Sequence, residues 1–175
     1  MEISFLGGVS IKIKTKNLVL LTDPKSAKEK ADVVVYTSPN EIVVSGPVNR
    51  ESTFYIKDEG EYELSGVGII VSAVPVVTAD GVSIAFLSGL SNGLTDAQIE
   101  KLSEVDVIAV PLAQAATLIE QIQPSVAILI GYERKDEVDQ FLTANKFEIV
   151  KRDLDKLKID ENNLAENTEV VVLNA

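Results

Sequence analysis

"DVIAVPLAQAATLIEQIQPSVAILIG", residues 106 to 131, decides the fold. Its two ends are short, continuous apolar runs, and they read as strands at Asp106–Val110 and Val126–Ile130 that are buried on both faces. Between them a helix runs from near Ala113 to Ile122, with Ala116, Ile119 and Ile122 on one stripe and Pro124 to stop it. A strand, a helix and a strand at this spacing read as a right-handed crossover that joins two parallel neighbours.

The reading extends outward in both directions. Upstream, Thr95 and Gln98 form a capping-box pattern, and Leu94 and Ile99 stand at hydrophobic-staple spacing around it, so a helix starts at about Asp96. Downstream, a third helix over about Asp136 to Ala144 puts Val138, Phe141 and Leu142 on one face, with Asn145 placed to end it. Strands follow at Phe147–Lys151 and Glu169–Leu173, joined by "KRDLDKLKIDENNLAEN", a polar surface connection. The first half is strand after strand. In "VSIKIKTKNLVLLTDP", residues 9 to 24, Val9, Ile11 and Ile13 alternate with polar residues before a turn at Lys16-Asn17 leads into the apolar run Leu18–Leu21, which is a hairpin. Further strands are expected at Val33–Tyr36, Ile42–Ser45, Thr53–Lys57, Val67–Ser72 and Val82–Leu87, and Met1–Phe5 also reads as one. Strand-rich halves, each with late helices, imply an α/β protein of two sheets packed face to face with helices outside. Residues 1–175 are expected to form a single domain.

Composition narrows the function. The chain carries 16 basic residues against 27 acidic ones, a formal net charge of −11, so phosphate backbones and anionic membrane surfaces are repelled at long range. Neither nucleic acid nor a membrane is expected as a partner. There is no cysteine, which removes disulfides and thiolate chemistry, and no histidine, which removes the commonest zinc ligand and the side chain that ordinarily titrates near neutral pH. No apolar run reaches the roughly 18 residues of a membrane span, and the first residues read as a strand rather than a leader, so a cytoplasmic location is expected. A mean hydropathy of +0.18 leaves room for a self-association surface.

Several strings then fall in a telling order: "EISFLGG" (2–8), "LLTDP" (20–24), "ADVVVYTS" (31–38), "EGEYELSGVGI" (59–69), "LTDAQIEKLSEVDVIAVPL" (94–112) and "IEQIQPSVAILIGY" (119–132). Together they make the chain resemble the metallo-β-lactamase superfamily, and within it the small bacterial hydrolases related to ascorbate phosphate lactonase. The resemblance covers nearly the whole chain and implies an αββα four-layer sandwich of two mixed sheets. It also implies one or two zinc or manganese ions that generate hydroxide and stabilise an oxyanion.

The motifs that would hold those ions are altered. Where the family writes Leu-Gly-His, the chain has Leu6-Gly7-Gly8. Where it writes Thr-His-x-His-x-Asp-His, the chain has Thr37, Ser38, Pro39, Asn40, Glu41, Ile42 and Val43. His-Leu-Gly-Asp becomes Phe86-Leu87-Ser88-Gly89, and the histidine of Pro-x-His-Tyr becomes Gly131 before Tyr132. Such ions need strong lone-pair donors at about 2.0–2.2 Å, and glycine, isoleucine, valine and phenylalanine supply none. The resemblance therefore implies a vestigial pocket around Gly8, Asp23, Ser38, Asn40, Glu41, Phe86, Ser88, Gly89, Gly131 and Tyr132, with Phe86, Ile42 and Val43 filling vacated space. No catalytic residue, no metal ligand and no cofactor is expected.

The expectation is a metal-free, non-catalytic relative of these hydrolases that binds or scaffolds an unnamed protein or small-molecule partner, with homo-oligomer formation open to it. Two alternatives stand beside it. A hydrolase acting on a small ester, lactone or phosphate would work with no metal or with a hard cation on Asp23, Asn40, Glu41 and Ser88, yet Glu41 falls on a spacer position of the motif. Serine chemistry at Ser38 or Ser88 would need a desolvated lysine, and neither a Gly-x-Ser-x-Gly nor a Ser-x-x-Lys pattern surrounds them. Gly7-Gly8 lacks the frame and lysine of a phosphate loop. Glu59, Glu61 and Glu63 alternate along one strand and read as a solvated edge that discourages sheet pairing rather than as a cation site. The stretch from Ser72 to Asp80 is shorter than its counterpart in the family and is expected to leave part of a substrate rim missing.

Overall fold

The computed structural model describes residues 1–25, 29–37, 52–90 and 93–175. The expected strand at Ile42–Ser45 lies outside the described residues. In chain order the strands are β1 (Glu2–Phe5), β2 (Ile11–Lys14), β3 (Val19–Thr22), β4 (Val33–Val35), β5 (Phe54–Ile56), β6 (Gly60–Leu64), β7 (Val67–Val71), β8 (Val76–Ala79) and β9 (Val82–Phe86). Helix α1 (Asp96–Leu102), β10 (Val107–Pro111), α2 (Ala115–Ile122), β11 (Val126–Ile130), α3 (Lys135–Ala144), β12 (Ile149–Leu154), β13 (Leu157–Lys158) and β14 (Glu169–Leu173) follow.

These strands make two mixed sheets. The smaller has the order β13-β1-β2-β3-β4-β5 and the larger β12-β14-β11-β10-β9-β8-β7-β6. The opening stretch behaves as its sequence requires: β10 and β11 are parallel neighbours in register from Val107↔Val126 to Pro111↔Ile130, and every residue of β11 is buried. Continuous apolar strands belong where both faces are covered. The hairpin is also present, with β2 antiparallel to β3 from Ile11↔Thr22 to Lys14↔Val19.

Alternation along the strands sorts the core into layers. Ile84, Phe86, Val107, Ala109 and Ile128 of the larger sheet join Ile3, Ile11, Ile13 and Leu20 of the smaller in the cluster between the sheets. The intervening residues Ala85, Ile108, Ala127 and Leu129 point the other way and pack with Leu118, Ile119 and Ile122 of α2 and Val138 of α3. On the smaller sheet, Leu21 and Val34 leave that central cluster and form a third one with Ala31 on its outer face, so β3 and β4 are buried on both sides. Helix α1 begins with the full capping box, in which the Thr95 hydroxyl accepts from Gln98 N–H and the Gln98 side chain accepts from Thr95 N–H.

Three local readings are revised. Strand β8 occupies the stretch that reads as a shortened rim, and β13 sits inside the polar connection, pairing with β1 at Ile3↔Leu157. Pro75 beside a four-residue strand, and two strand residues flanked by charges, leave too little periodicity to register. The start of α2 shifts from Ala113 to Ala115 because Leu112–Gln114 winds as a 3-10 turn first. Strand β6 does end the larger sheet, and Glu61 and Glu63 are exposed along that edge, as the alternation of carboxylates requires. Among the described residues, no helix is long and apolar enough to cross a membrane.

Candidate functional site

Strands β1, β3, β4, β9 and β11 release their chains at the same edge of the sandwich, and the residues just beyond them form the candidate site. Positions beyond strand carboxyl ends are where α/β sheets expose side chains on a fixed scaffold. Gly7 and Gly8 follow β1, Asp23 and Lys25 follow β3, Thr37 follows β4, Ser88 and Gly89 follow β9, and Gly131 and Tyr132 follow β11.

A short polar chain ties the two sheets together there. Asp23 is 6% exposed, and its carboxylate accepts the Thr37 N–H at 2.9 Å and the Thr37 hydroxyl. The Thr37 and Ser88 hydroxyl oxygens are 2.8 Å apart. Because the single Thr37 proton goes to Asp23, Ser88 donates in that pair and turns only lone pairs outward. The backbone at Asp23 is strained, with φ +40, and is held by its N–H donating to Val35 C=O at 3.1 Å. Tyr36 lies beside this chain. Burial pushes its phenol above the usual value, with Tyr55 and the Asp23 carboxylate adding to the effect, and the Lys57 ammonium sits 5.3 Å from its ring centroid.

Glycines bring the opposite wall together. The turn after β1 is closed by Ser10 N–H donating to Gly7 C=O at 3.1 Å, with φ +61 at Gly8, a conformation that favours glycine. Gly131, φ +71, donates its N–H to Gly8 C=O at 2.6 Å and so bridges the sheets a second time. A Cβ on Gly8 would stand 1.9 Å from Lys25 Nζ and 2.2 Å from its Cε, so the lysine tip fills the space a side chain at position 8 would use.

The remaining positions divide. Phe86 is 1% exposed and packs in the core between the sheets. The Tyr132 hydroxyl donates to Leu173 C=O at 2.9 Å, its ring lies 5.3 Å from that of Phe5, and burial raises its pKa. It is thereby a packing residue as much as a site residue. Gly89 sits in the turn after β9 that Leu90 N–H closes onto Leu87 C=O. The expected positions Ser38, Asn40 and Glu41, with Ile42 and Val43, lie outside the described residues. Sequence reading missed Lys25, which has no motif around it, and undervalued Thr37, which holds the first position of the altered motif.

Neither a family model nor a curated protein matches the chain. Solved structures do. A proposed zinc-dependent hydrolase of the metallo-β-lactamase superfamily from Thermotoga maritima matches with a TM-score of 0.80 at 23% identity, covering 100% of both chains. A proposed metal-dependent hydrolase from Parabacteroides distasonis gives 0.60 at 16% identity, over 80% of this chain and 87% of that one. An isothiocyanate hydrolase from Delia radicum gut bacteria gives 0.65 at 9% identity, over 91% and 99%. The chain has the metallo-β-lactamase fold.

These matches correct the expectation that the protein takes no cofactor, since structures that share its fold are named as zinc- or metal-dependent hydrolases. The expectation counted lost imidazoles. A cofactor is instead set by the donors a folded pocket assembles, and hard cations accept carboxylate, amide and hydroxyl oxygens that leave no imidazole motif. Among the described residues, no three Asp or Glu side chains converge into a cation site, and the carboxylate of Asp23 is engaged by Thr37. The described donors therefore do not by themselves fit a zinc or manganese ion, and no chemical step is derived through one.

Proposed function

We propose that this is a metallo-β-lactamase-fold protein that binds a ligand at the strand-end site without hydrolysing it. The reading is carried by the Asp23–Thr37–Ser88 chain, in which the groups that would serve as base and nucleophile satisfy one another. Ser88 hands its proton toward a threonine hydroxyl, which is no base, and among the described residues no lysine nitrogen reaches it. General-base activation of a hydroxyl needs a proton acceptor of suitable pKa within hydrogen-bond reach. The cytoplasmic setting, the single domain and the exclusion of nucleic acid belong to this proposal, as does the likeness to lactonase-related hydrolases, which suggests phosphorylated hydroxy acids as first ligands to try.

The test is a panel of lactones, phosphodiesters and β-lactams, assayed with zinc or manganese supplied. The proposal expects no rate above that of buffer with the same metal. Metal-stimulated turnover of any member would replace it with the competing reading, an active hydrolase with an atypical site.

A further inference from the structure

We infer that the strand-end site takes a small oxyanion, carboxylate or phosphate, with the Lys25 ammonium as its charge partner. This rests on the binding reading above and adds the ligand's class. Lys25 is exposed, yet its tip is laid over the Gly7–Ser10 turn, in the side-chain space of position 8, where glycine alone leaves room for it. Gly131 backs that turn through its hydrogen bond to Gly8 C=O.

The nearest carboxylate along the chain does not claim it. Asp23, two residues earlier, takes the Thr37 N–H and hydroxyl, and among the described residues Lys25 makes no ion pair. A second cation lies at the same edge: Lys57 follows β5 and rests against the Tyr36 ring, also without a carboxylate partner among the described residues. In a chain of net charge −11, an ammonium with no ion-pair partner among the described residues is a local attraction for an anion. An oxyanion that replaces its water shell with an ammonium gains a charge-assisted hydrogen bond, stronger than a neutral one. The whole-chain charge still repels a polyanion, so the site suits a small molecule with one or two negative charges.

The full chain should be titrated with inorganic phosphate and, separately, with malonate at fixed ionic strength, following backbone amide shifts by NMR. Saturable shifts at Gly8 and Gly131 are expected with at least one of the two, and the ion that gives them identifies a phosphoryl or a carboxylate ligand. Lys25→Met should weaken that binding about tenfold, corresponding to about 1.4 kcal/mol, while Lys25→Arg keeps most of it and Lys146→Met leaves it unchanged. Thermal melting checks that Lys25→Met is folded, as an exposed substitution should be. Absence of saturable shifts with both ions, or equal affinity in Lys25→Met, overturns the inference. Its failure is separable from that of the binding reading, because only turnover in the hydrolase panel overturns the latter.

Discussion

At the scale of single residues, Asp23, Thr37 and Ser88 matter most, because Thr37 gives two hydrogen bonds to the buried Asp23 carboxylate and meets Ser88 of the larger sheet through its hydroxyl. Thr37→Val removes the hydroxyl and leaves a buried carboxylate oxygen and the Ser88 proton without that partner. It should cost about 1–3 kcal/mol in chemical denaturation, whereas Ser88→Ala, at a half-buried position, should cost at most about 1 kcal/mol. Equal effects would show that the chain is not organised around Asp23. Tyr132 gives a pH-dependent counterpart. Its pKa is raised in the folded state by burial, so its contribution is complete below the unfolded value near 10.0 and is lost as pH rises through the higher folded value. Wild-type stability should therefore fall as pH rises above about 10. Tyr132→Phe should be less stable by about 1 kcal/mol at neutral pH and should show a shallower alkaline fall, Tyr36 keeping the remainder. A fall of unchanged steepness in thermal melts across that range would rule out Tyr132 as a source.

At the scale of elements, sequence signals were strongest where several agreed. Thr95, Gln98 and the flanking Leu94 and Ile99 mark the start of α1, and the capping box forms as written. Thr95→Ala should cost about 1 kcal/mol in unfolding experiments, and Thr95→Asn almost nothing. Equal losses in both would mean that the cap is not what holds the helix end. The third helix was legible in the same way, and Asn145 ends it with its side-chain amide donating to Phe141 C=O at 2.9 Å. Elements without agreement among signals were invisible: β8 follows Pro75, and β13 exists because Leu157 is 7% exposed in a tertiary contact with the core, which no local pattern declares. Tertiary burial outweighs local propensity in such short strands.

At the scale of the whole molecule, the two-sheet arrangement was legible because the continuous apolar strands at 106–110 and 126–130 demand cover on both faces. The site was less so. The resemblance marks Gly8, Phe86 and Gly131 as positions where the family writes histidine, but sequence does not show that Lys25 enters the space over Gly8, because that requires the ends of β1 and β3 to be neighbours in space. Nor do missing ligands decide a cofactor, as the zinc- and metal-dependent names among proteins of this fold make plain. The central core is where stability is concentrated. Ile128 is fully buried between the sheets, so Ile128→Ala should cost about 2–5 kcal/mol, while Ile70→Thr, at a site 47% exposed, should stay within about 0.5 kcal/mol. Similar losses at both positions, measured by urea denaturation, would contradict the layered core.

The most direct test of binding without hydrolysis is a single-turnover assay with protein in excess over a phosphorylated lactone, zinc or manganese present, comparing wild type with Asp23→Asn. The account predicts that both are indistinguishable from the metal blank. A first-order rate in wild type that disappears in Asp23→Asn would contradict it, because the buried carboxylate would then be serving the reaction rather than the join between the sheets.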